Sequence, residues 1–274
     1  MLKNKTAHLY LMVLFTLLYA PIFFLVLYSF NAGTTMQGWQ GFTWNHYQEL
    51  FSDYHLIEIV LDTLILALLS ALIATIVGTV GALVINRQKN RVWKNTLLSL
   101  NNVLLVSPDV IIGASLLILF TVCGFSLGFV STLFAHIAFS IPIVVLMILP
   151  RLQEMSHSLI DAAKDLGAND QQVLSQVTLP YISPGVLAGF FMAFTYSLDD
   201  FAVTFFVTGN GFTTLSVEIY SRARQGVSLE INALSTIMFL VSIILVLFYY
   251  LINQRANRQR KNKLTKIVLP GERE

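Results

Sequence analysis

Six separate stretches of this chain are each apolar enough, over 20 residues or more, to cross a lipid bilayer as a helix. They run at about 9–30, 59–85, 97–123, 127–149, 185–207 and 233–252. A hydrocarbon core of roughly 30 Å needs about 20 such residues, and only helices and closed barrels satisfy their own backbone there. The six stretches therefore predict an all-α, polytopic membrane protein in which residues 1–274 form one six-span domain. Only 12% of the residues are charged, about half of what a soluble domain carries. That excludes a water-filled enzyme, a disordered chain and a nucleic-acid binder. The first stretch follows Lys3 and Lys5 as a signal peptide would, but it is too long and has no small-x-small cleavage site, so a retained helix is expected.

Basic residues set the orientation. Placing the N-terminus inside puts 15 of the 17 Lys and Arg on the inner side, leaving Arg222 and Arg224 outside. Both termini are thus expected in the cytoplasm, with 253–274 as a basic tail that anchors topology or touches anionic lipid. The outer segment 31–58 has no basic residue but carries Glu49, Asp53, Glu58, Trp39, Trp44 and Tyr47. Trp and Tyr favour the headgroup level, so an interfacial helix is expected there. The outer segment 209–230 is moderately apolar, and a dip back toward the membrane is expected for it.

Several chemistries have no residues to carry them. The single cysteine, Cys123, rules out an intrachain disulfide and a thiolate zinc cluster. The five histidines include no zinc-type pair, so no metal is expected, and no G-x-x-x-x-G-K-[ST] loop exists to cradle ATP. The inner segment 151–183 is too polar for lipid and contains DAAKDLGANDQQVLSQVTLP. This reads as two short helices hinged at Gly167. The adjacent Ala162 and Ala163 offer a flat surface, and Ser183-Pro184 is expected to cap and restart the next span.

Carboxylates inside spans are costly, at about 2.5–3.5 kcal/mol each on insertion scales. Asp109 lies in the third stretch and Asp199 with Asp200 in the fifth; Asp62 lies nearer the outer end of the second. With no Lys or Arg deep in any span, these acids are either protonated or line a wet path for a positively charged traveller. Ser107-Pro108-Asp109 is also a good helix start, with Ser as cap and Pro at the first position, and would mark a broken third span. The two readings are compatible, because transporter sites often use interrupted helices. The segment around Asp199-Asp200 contains neither Pro nor Gly, which favours a pathway role over capping. Tyr196, three and four residues earlier, shares their face and suits alkylammonium groups through cation–π attraction, or is plain helix packing.

The inner segment resembles the cytoplasmic loop of ABC importer permeases, E-A-A-x3-G-x9-I-x-L-P. Asp161 replaces Glu, Ala162, Ala163 and Gly167 match, Val177 replaces Ile, and Leu179-Pro180 close the pattern. Ser107-Pro108-Asp109-Val110, Ser197-Leu198-Asp199-Asp200-Phe201, Ile219-Tyr220-Ser221, Gly226-Val227-Ser228, Ile231-Asn232-Ala233-Leu234 and Trp39-Gln40-Gly41-Phe42-Thr43 extend the likeness to the spermidine/putrescine importer permeases. Of the two permease subunits in that family, the chain is more similar to the C component. Asp62-Thr63 stands where a neutral polar pair is expected, which leaves that position open.

The resemblance implies a type I ABC importer permease (MetI-like) fold in a bacterial inner membrane. It also implies a homologous six-span partner, a dimer of ATPase subunits holding ATP and Mg, and a periplasmic or surface polyamine-binding protein. The loop Asp161, Ala162, Ala163, Gly167, Leu179 and Pro180 would couple to the ATPase. Asp109, Tyr196, Asp199 and Asp200 would line the substrate path, and Trp39, Glu49, Arg222 and Arg224 would meet the binding protein. The chain itself would perform no bond chemistry and hold no cofactor. Related permeases for iron, sulfate or thiamine share the loop. A proton-driven secondary transporter could use the same acids without it, and an intramembrane aspartyl protease would have to pair Asp109 with an acid of the fifth span.

Overall fold

The computed structural model describes residues 2–268 except 34, 35, 37, 210 and 226–228, and leaves aside the side chains of 2–6, 225, 245, 248, 249 and 252 onward. The Gly226-Val227-Ser228 motif, residues 269–274 and the side chains of the basic tail therefore lie outside the described residues. What is described is helical, with one isolated bridge between Asn31 and Phe42.

The chain divides into two compact units, Ile59–Val217 and the pair Met1–Glu58 with Glu218–Glu274. In order, the helices are α1 (Leu2–Tyr28), α2 (Asn45–Ser52), α3 (Tyr54–Arg87), α4 (Arg91–Val106), α5 (Asp109–Val122), α6 (Phe129–Glu154) and α7 (His157–Asp165). After them come the single turn α8 (Asp170–Gln172), a π-helical stretch Val173–Thr178, α9 (Leu179–Asp199), α10 (Ala202–Val207), α11 (Leu215–Gln225) and α12 (Leu229–Val268).

Among the described residues, four helical segments are long and apolar enough to span a membrane: Ala7–Tyr28, Tyr54–Arg87, Phe129–Glu154 and Asp170–Asp199. The third predicted stretch is not one straight helix. α4 and α5 meet at 104° across Ser107-Pro108, so together they make one broken span or a re-entrant pair. The sixth stretch lies in α12, whose described apolar part is Leu229–Ile244. The outer segment 31–58 carries a helix of only eight residues, α2.

The unit Ile59–Val217 is built on small residues. Ala71, Ala74 and Ala82 of α3 are buried with Val144, Val145, Ile148 and Leu152 of α6 and with Ile182 and Ala193 of α9. Apolar side chains gain little by leaving lipid for one another, so close packing of small residues supplies the attraction instead. A second cluster joins Ile112 of α5, Ala135 and Phe139 of α6, and Val203 and Val207 of α10. Gly113 makes that contact possible: a Cβ there would come within 3.0 Å of the Val203 Cα and within 2.8 Å of the Phe206 ring. α10 is thereby held against the helix that opens with Asp109. On α3, Thr63 donates to the Ile59 carbonyl (2.7 Å) and accepts the Leu215 N–H at the start of α11 (2.9 Å).

In the other unit, α12 packs against α1 and α2. Asn31 pins the loop after α1: its side chain donates to the Gly38 carbonyl (2.8 Å) and accepts the Gln40 N–H (2.7 Å). Phe30 and Phe42 stack at 5.4 Å, and Trp44 meets both edge-on.

Candidate functional site

The break between α4 and α5 and the break between α9 and α10 present the predicted path residues. Pro108 cannot donate a backbone hydrogen bond and disfavours helix at the residue before it, so the third stretch turns there. Ser107 does not cap α5 as the sequence predicts. Its hydroxyl donates back to the Val103 carbonyl of α4 (2.7 Å), and Pro108 occupies the cap position without a side-chain bond. Asp109, the first residue of α5, instead accepts the Tyr196 hydroxyl at 2.8 Å. Tyr196 thus engages an acid of another helix. Its ring stands edge-on to Phe139, centroids 5.0 Å apart, and both Tyr196 and Asp109 reach the surface of the chain.

Asp199 and Asp200 part company. Asp199 ends α9 and is exposed. Asp200 is only 8% exposed, and its carboxylate caps α10, accepting the N–H of Thr204 (2.8 Å), the N–H of Val203 (3.4 Å) and the Thr204 hydroxyl (2.7 Å). For Asp200 the alternative that the sequence disfavours, capping, is the one the structure shows. Two unpaired first-turn amides attract a carboxylate whether or not Pro or Gly is nearby.

One buried residue escaped the sequence reading. His136, two turns into α6, is fully buried, with Nδ1 2.6 Å from the Ser197 hydroxyl and Nε2 2.8 Å from the Thr204 hydroxyl. Ser197 in turn lies 2.9 Å from the Ser70 hydroxyl of α3. An ionisable side chain deep in an apolar span was the available signal. Among the described residues no three His, Cys, Asp or Glu side chains gather as a metal site.

The inner loop folds around Gly167. α7 ends in paired bonds, Gly167 N–H to the Lys164 carbonyl (2.9 Å) and Ala168 N–H to the Ala163 carbonyl (3.0 Å). With Gly167 at φ +86° this is a Schellman stop, which wants glycine. Asn169 and Gln172 then exchange reciprocal bonds of 2.8 Å to start α8. Lys164 bridges the hinge to Asp170 (3.0 Å). Asp161, Ala162, Gly167, Leu179 and Pro180 are exposed and Ala163 is half-buried, while Leu166 beside them is 90% exposed. The predicted restart at Ser183-Pro184 does not occur. α9 already runs from Leu179, and Ser183 donates to the Pro180 carbonyl (2.9 Å) within it.

Of the four predicted outer contacts, Trp39, Glu49 and Arg224 are exposed. Trp39 sits edge-on to Tyr28, Glu49 lies 3.7 Å from the His46 Nδ1, and the Arg224 guanidinium lies 5.8 Å over the Tyr220 ring. Arg222 is engaged within the chain, 2.6 Å from Glu218, 3.2 Å from Asp53 and 3.8 Å from Glu230. Burial works against its charge, but the hydrogen bonds it donates to Glu218 and Asp53 outweigh it and raise its affinity for the proton. For Asp53 burial pushes the carboxyl up, while bonds from the Leu56 N–H and Arg222 carry it, on balance, below its ordinary value.

Residues 74–262 match the family described as binding-protein-dependent transport system inner membrane component. The chain is 39% identical over 248 residues to the spermidine/putrescine transport system permease protein PotC of Haemophilus influenzae, covering 90% of this chain and 96% of that one. It is 38% identical over 253 residues to the putrescine transport system permease protein PotI of Escherichia coli (strain K12), covering 90% of each. The fold is similar to that of a bacterial alginate ABC transporter in complex with an alginate pentasaccharide-bound periplasmic protein. There the TM-score is 0.71 at 18% identity, over 92% of this chain and 94% of that one. It is also similar to the inward-facing MetNI methionine ABC transporter, with a TM-score of 0.57 at 20% identity, over 75% and 94% of the two chains. This multi-pass membrane chain belongs to the family of binding-protein-dependent transport system inner membrane components.

Proposed function

We propose that this chain is the permease subunit of an ATP-driven importer that carries polyamines into the cytoplasm. The observation that carries the reading is the pairing of near-full-length likeness to spermidine and putrescine permeases with acids that no basic side chain balances. No Lys or Arg occurs in residues 54–86, 95–150 or 165–221, which contain Asp109, Asp199 and Asp200. Carboxylates unmatched by protein cations suit a cationic guest.

Asp109 and Asp199 take the ammonium groups as they lose water, and the Tyr196 ring adds cation–π attraction. The Tyr196 hydroxyl already occupies one Asp109 oxygen, so an arriving ammonium competes with a neutral donor rather than another charge. Asp200, committed to its cap, adds negative field rather than direct contact. Several modest sites in series also let the cargo leave.

The path forms against a homologous six-span subunit, and both termini face the cytoplasm. ATP and Mg belong to a dimer of ATPase subunits, whose groove receives the Asp161–Pro180 loop with Leu166, Ala162 and Leu179 as its apolar contacts. A polyamine-binding protein delivers cargo to the outer surface, where Trp39, Glu49 and Arg224 are available to it. Arg222 serves that surface indirectly, by holding Asp53, Glu218 and Glu230 together.

The test is uptake by the assembled complex in proteoliposomes. Labelled spermidine or putrescine should accumulate with ATP, and Asp109→Asn with Asp199→Asn should raise the KM without loss of assembly. Transport of a neutral or anionic solute in preference to polyamine, or uptake by the purified chain alone under a proton gradient, would reject the reading.

A further inference from the structure

Asp200, Thr204, His136, Ser197 and Ser70 form an unbroken polar chain through a region otherwise packed with apolar side chains, and it links α10, α6, α9 and α3. With Asp200 ionised and the imidazole neutral, the proton count in this chain is fixed. A carboxylate accepts only, and Asp200 Oδ2 already takes the Thr204 N–H (2.8 Å), so the single Thr204 hydroxyl proton goes to the same oxygen (2.7 Å). The Thr204 oxygen must then accept from His136, which puts a proton on Nε2 (2.8 Å). A neutral ring so protonated has a bare Nδ1, which accepts the Ser197 hydroxyl (2.6 Å). Ser197, its proton spent, accepts from Ser70 at 2.9 Å, a closer partner for that hydroxyl than the Ala67 carbonyl at 3.1 Å. Every hydroxyl and both ring nitrogens are satisfied, in one direction, ending on Asp200.

The chain bears on the path in three ways. Ser197 adjoins Tyr196 in sequence. The His136 ring also packs at 4.9 Å on Phe139, whose ring meets Tyr196 edge-on at 5.0 Å. Its far end fixes the cap that breaks α9 from α10, directly after exposed Asp199.

We propose that His136 is a positioning residue for the translocation path: its imidazole, protonated at Nε2 alone, orders the chain Ser70→Ser197→His136→Thr204→Asp200 and so holds Tyr196 against Asp109 and keeps Asp199 at the helix break. The transport consequence rests on the polyamine reading; the proton's location does not.

Two measurements test it on the assembled complex. First, with His136 kept as the only histidine of this chain and labelled with 15N, NMR in nanodiscs should find one ring proton, on Nε2. A proton on Nδ1 or on both nitrogens overturns the assignment. Second, His136→Phe keeps a ring against Phe139 but leaves the Ser197 proton without its acceptor and the Thr204 oxygen without its donor, so the KM for labelled spermidine should rise about tenfold with a smaller change in kcat. His136→Gln, which carries both a donor and an acceptor, should recover part of that rise. An unchanged KM in His136→Phe, or no recovery with Gln, overturns the positioning role. Should His136→Phe fail to assemble, Ser197→Ala cuts the chain one bond away and is held to the same KM criterion. A wild-type complex that moves no polyamine yet carries the Nε2 proton upholds the hydrogen-bond chain and rejects the substrate reading instead.

Discussion

Replacing Gly167 separates what the inner loop needs for its own shape from what it needs for a partner. Gly167 sits at φ +86°, and a Cβ built there meets nothing within 4 Å in this chain. Alanine therefore causes no clash, only the strain of a left-handed L-residue, about 1–2 kcal/mol. The surrounding bonds keep the hinge formed against that strain: the paired amides of Gly167 and Ala168, the Asn169–Gln172 exchange and the Lys164–Asp170 bridge. Asparagine tolerates the left-handed region and should cost less than alanine. In thermal unfolding of the purified chain, Gly167→Ala should thus be mildly destabilised and Gly167→Asn close to wild type. If the loop docks tightly in an ATPase groove, both variants lose uptake and ATPase coupling alike, because the added side chain meets the partner rather than this chain. Full uptake with Asn and partial uptake with Ala would mean that only the local conformation matters, and the docking argument would fail. A loss of stability well beyond the strain figure in Gly167→Ala would refute the structural premise that the position is open.

Three further outcomes follow from particular contacts. Asp199→Asn should impair polyamine uptake with an unchanged unfolding midpoint, whereas Asp200→Ala should also lower the midpoint, since loss of an N-terminal cap costs about 0.5–2 kcal/mol. Asn90 accepts the Val92 and Trp93 amides at the start of α4, so Asn90→Ala should destabilise by about 1 kcal/mol in the same unfolding assay. Asp53 has its folded proton affinity lowered, so its contribution to stability is present above its ordinary unfolded value and is lost as pH falls through the lower folded value. Hydrogen exchange in 215–225 should accordingly be flat through neutral pH and quicken only in acid below the ordinary carboxylate range. Asp53→Asn should show the quickened rate at every pH, and an effect centred near neutrality would implicate a different group.

The parts of the molecule that could be read from the sequence are those encoded by neighbours along the chain. Length and apolarity identify the long apolar helices but not that the fifth stretch, 185–207, breaks after Asp199, and proline locates the turn at Ser107-Pro108. The spacing from Ala163 to Gly167 announces the Schellman stop, because its bonds close over four or five residues. Arg222 with Glu218 is an ordinary helical i,i+4 pair and was visible on the same terms; its bonds to Asp53 and Glu230 were not. What the sequence concealed depends on partners brought together by packing. Ser107 and Ser183 both have the look of helix caps, yet each hydroxyl turns back to a carbonyl of its own helix, a competing bond that serine always has available. Asp200 precedes an apolar run as capping residues do, without the Pro or Gly that commonly marks a helix break. His136 is 61 residues from Ser197 and 68 from Thr204, so no local pattern announces its role. Its position alone carried the signal: a histidine in an apolar span needs a donor and an acceptor from neighbouring helices, and that demand helps fix which helices can be its neighbours. The same demand explains why the acids diverge. Once the α10 amides and the Thr204 hydroxyl claim Asp200, Asp199 is left exposed at the break.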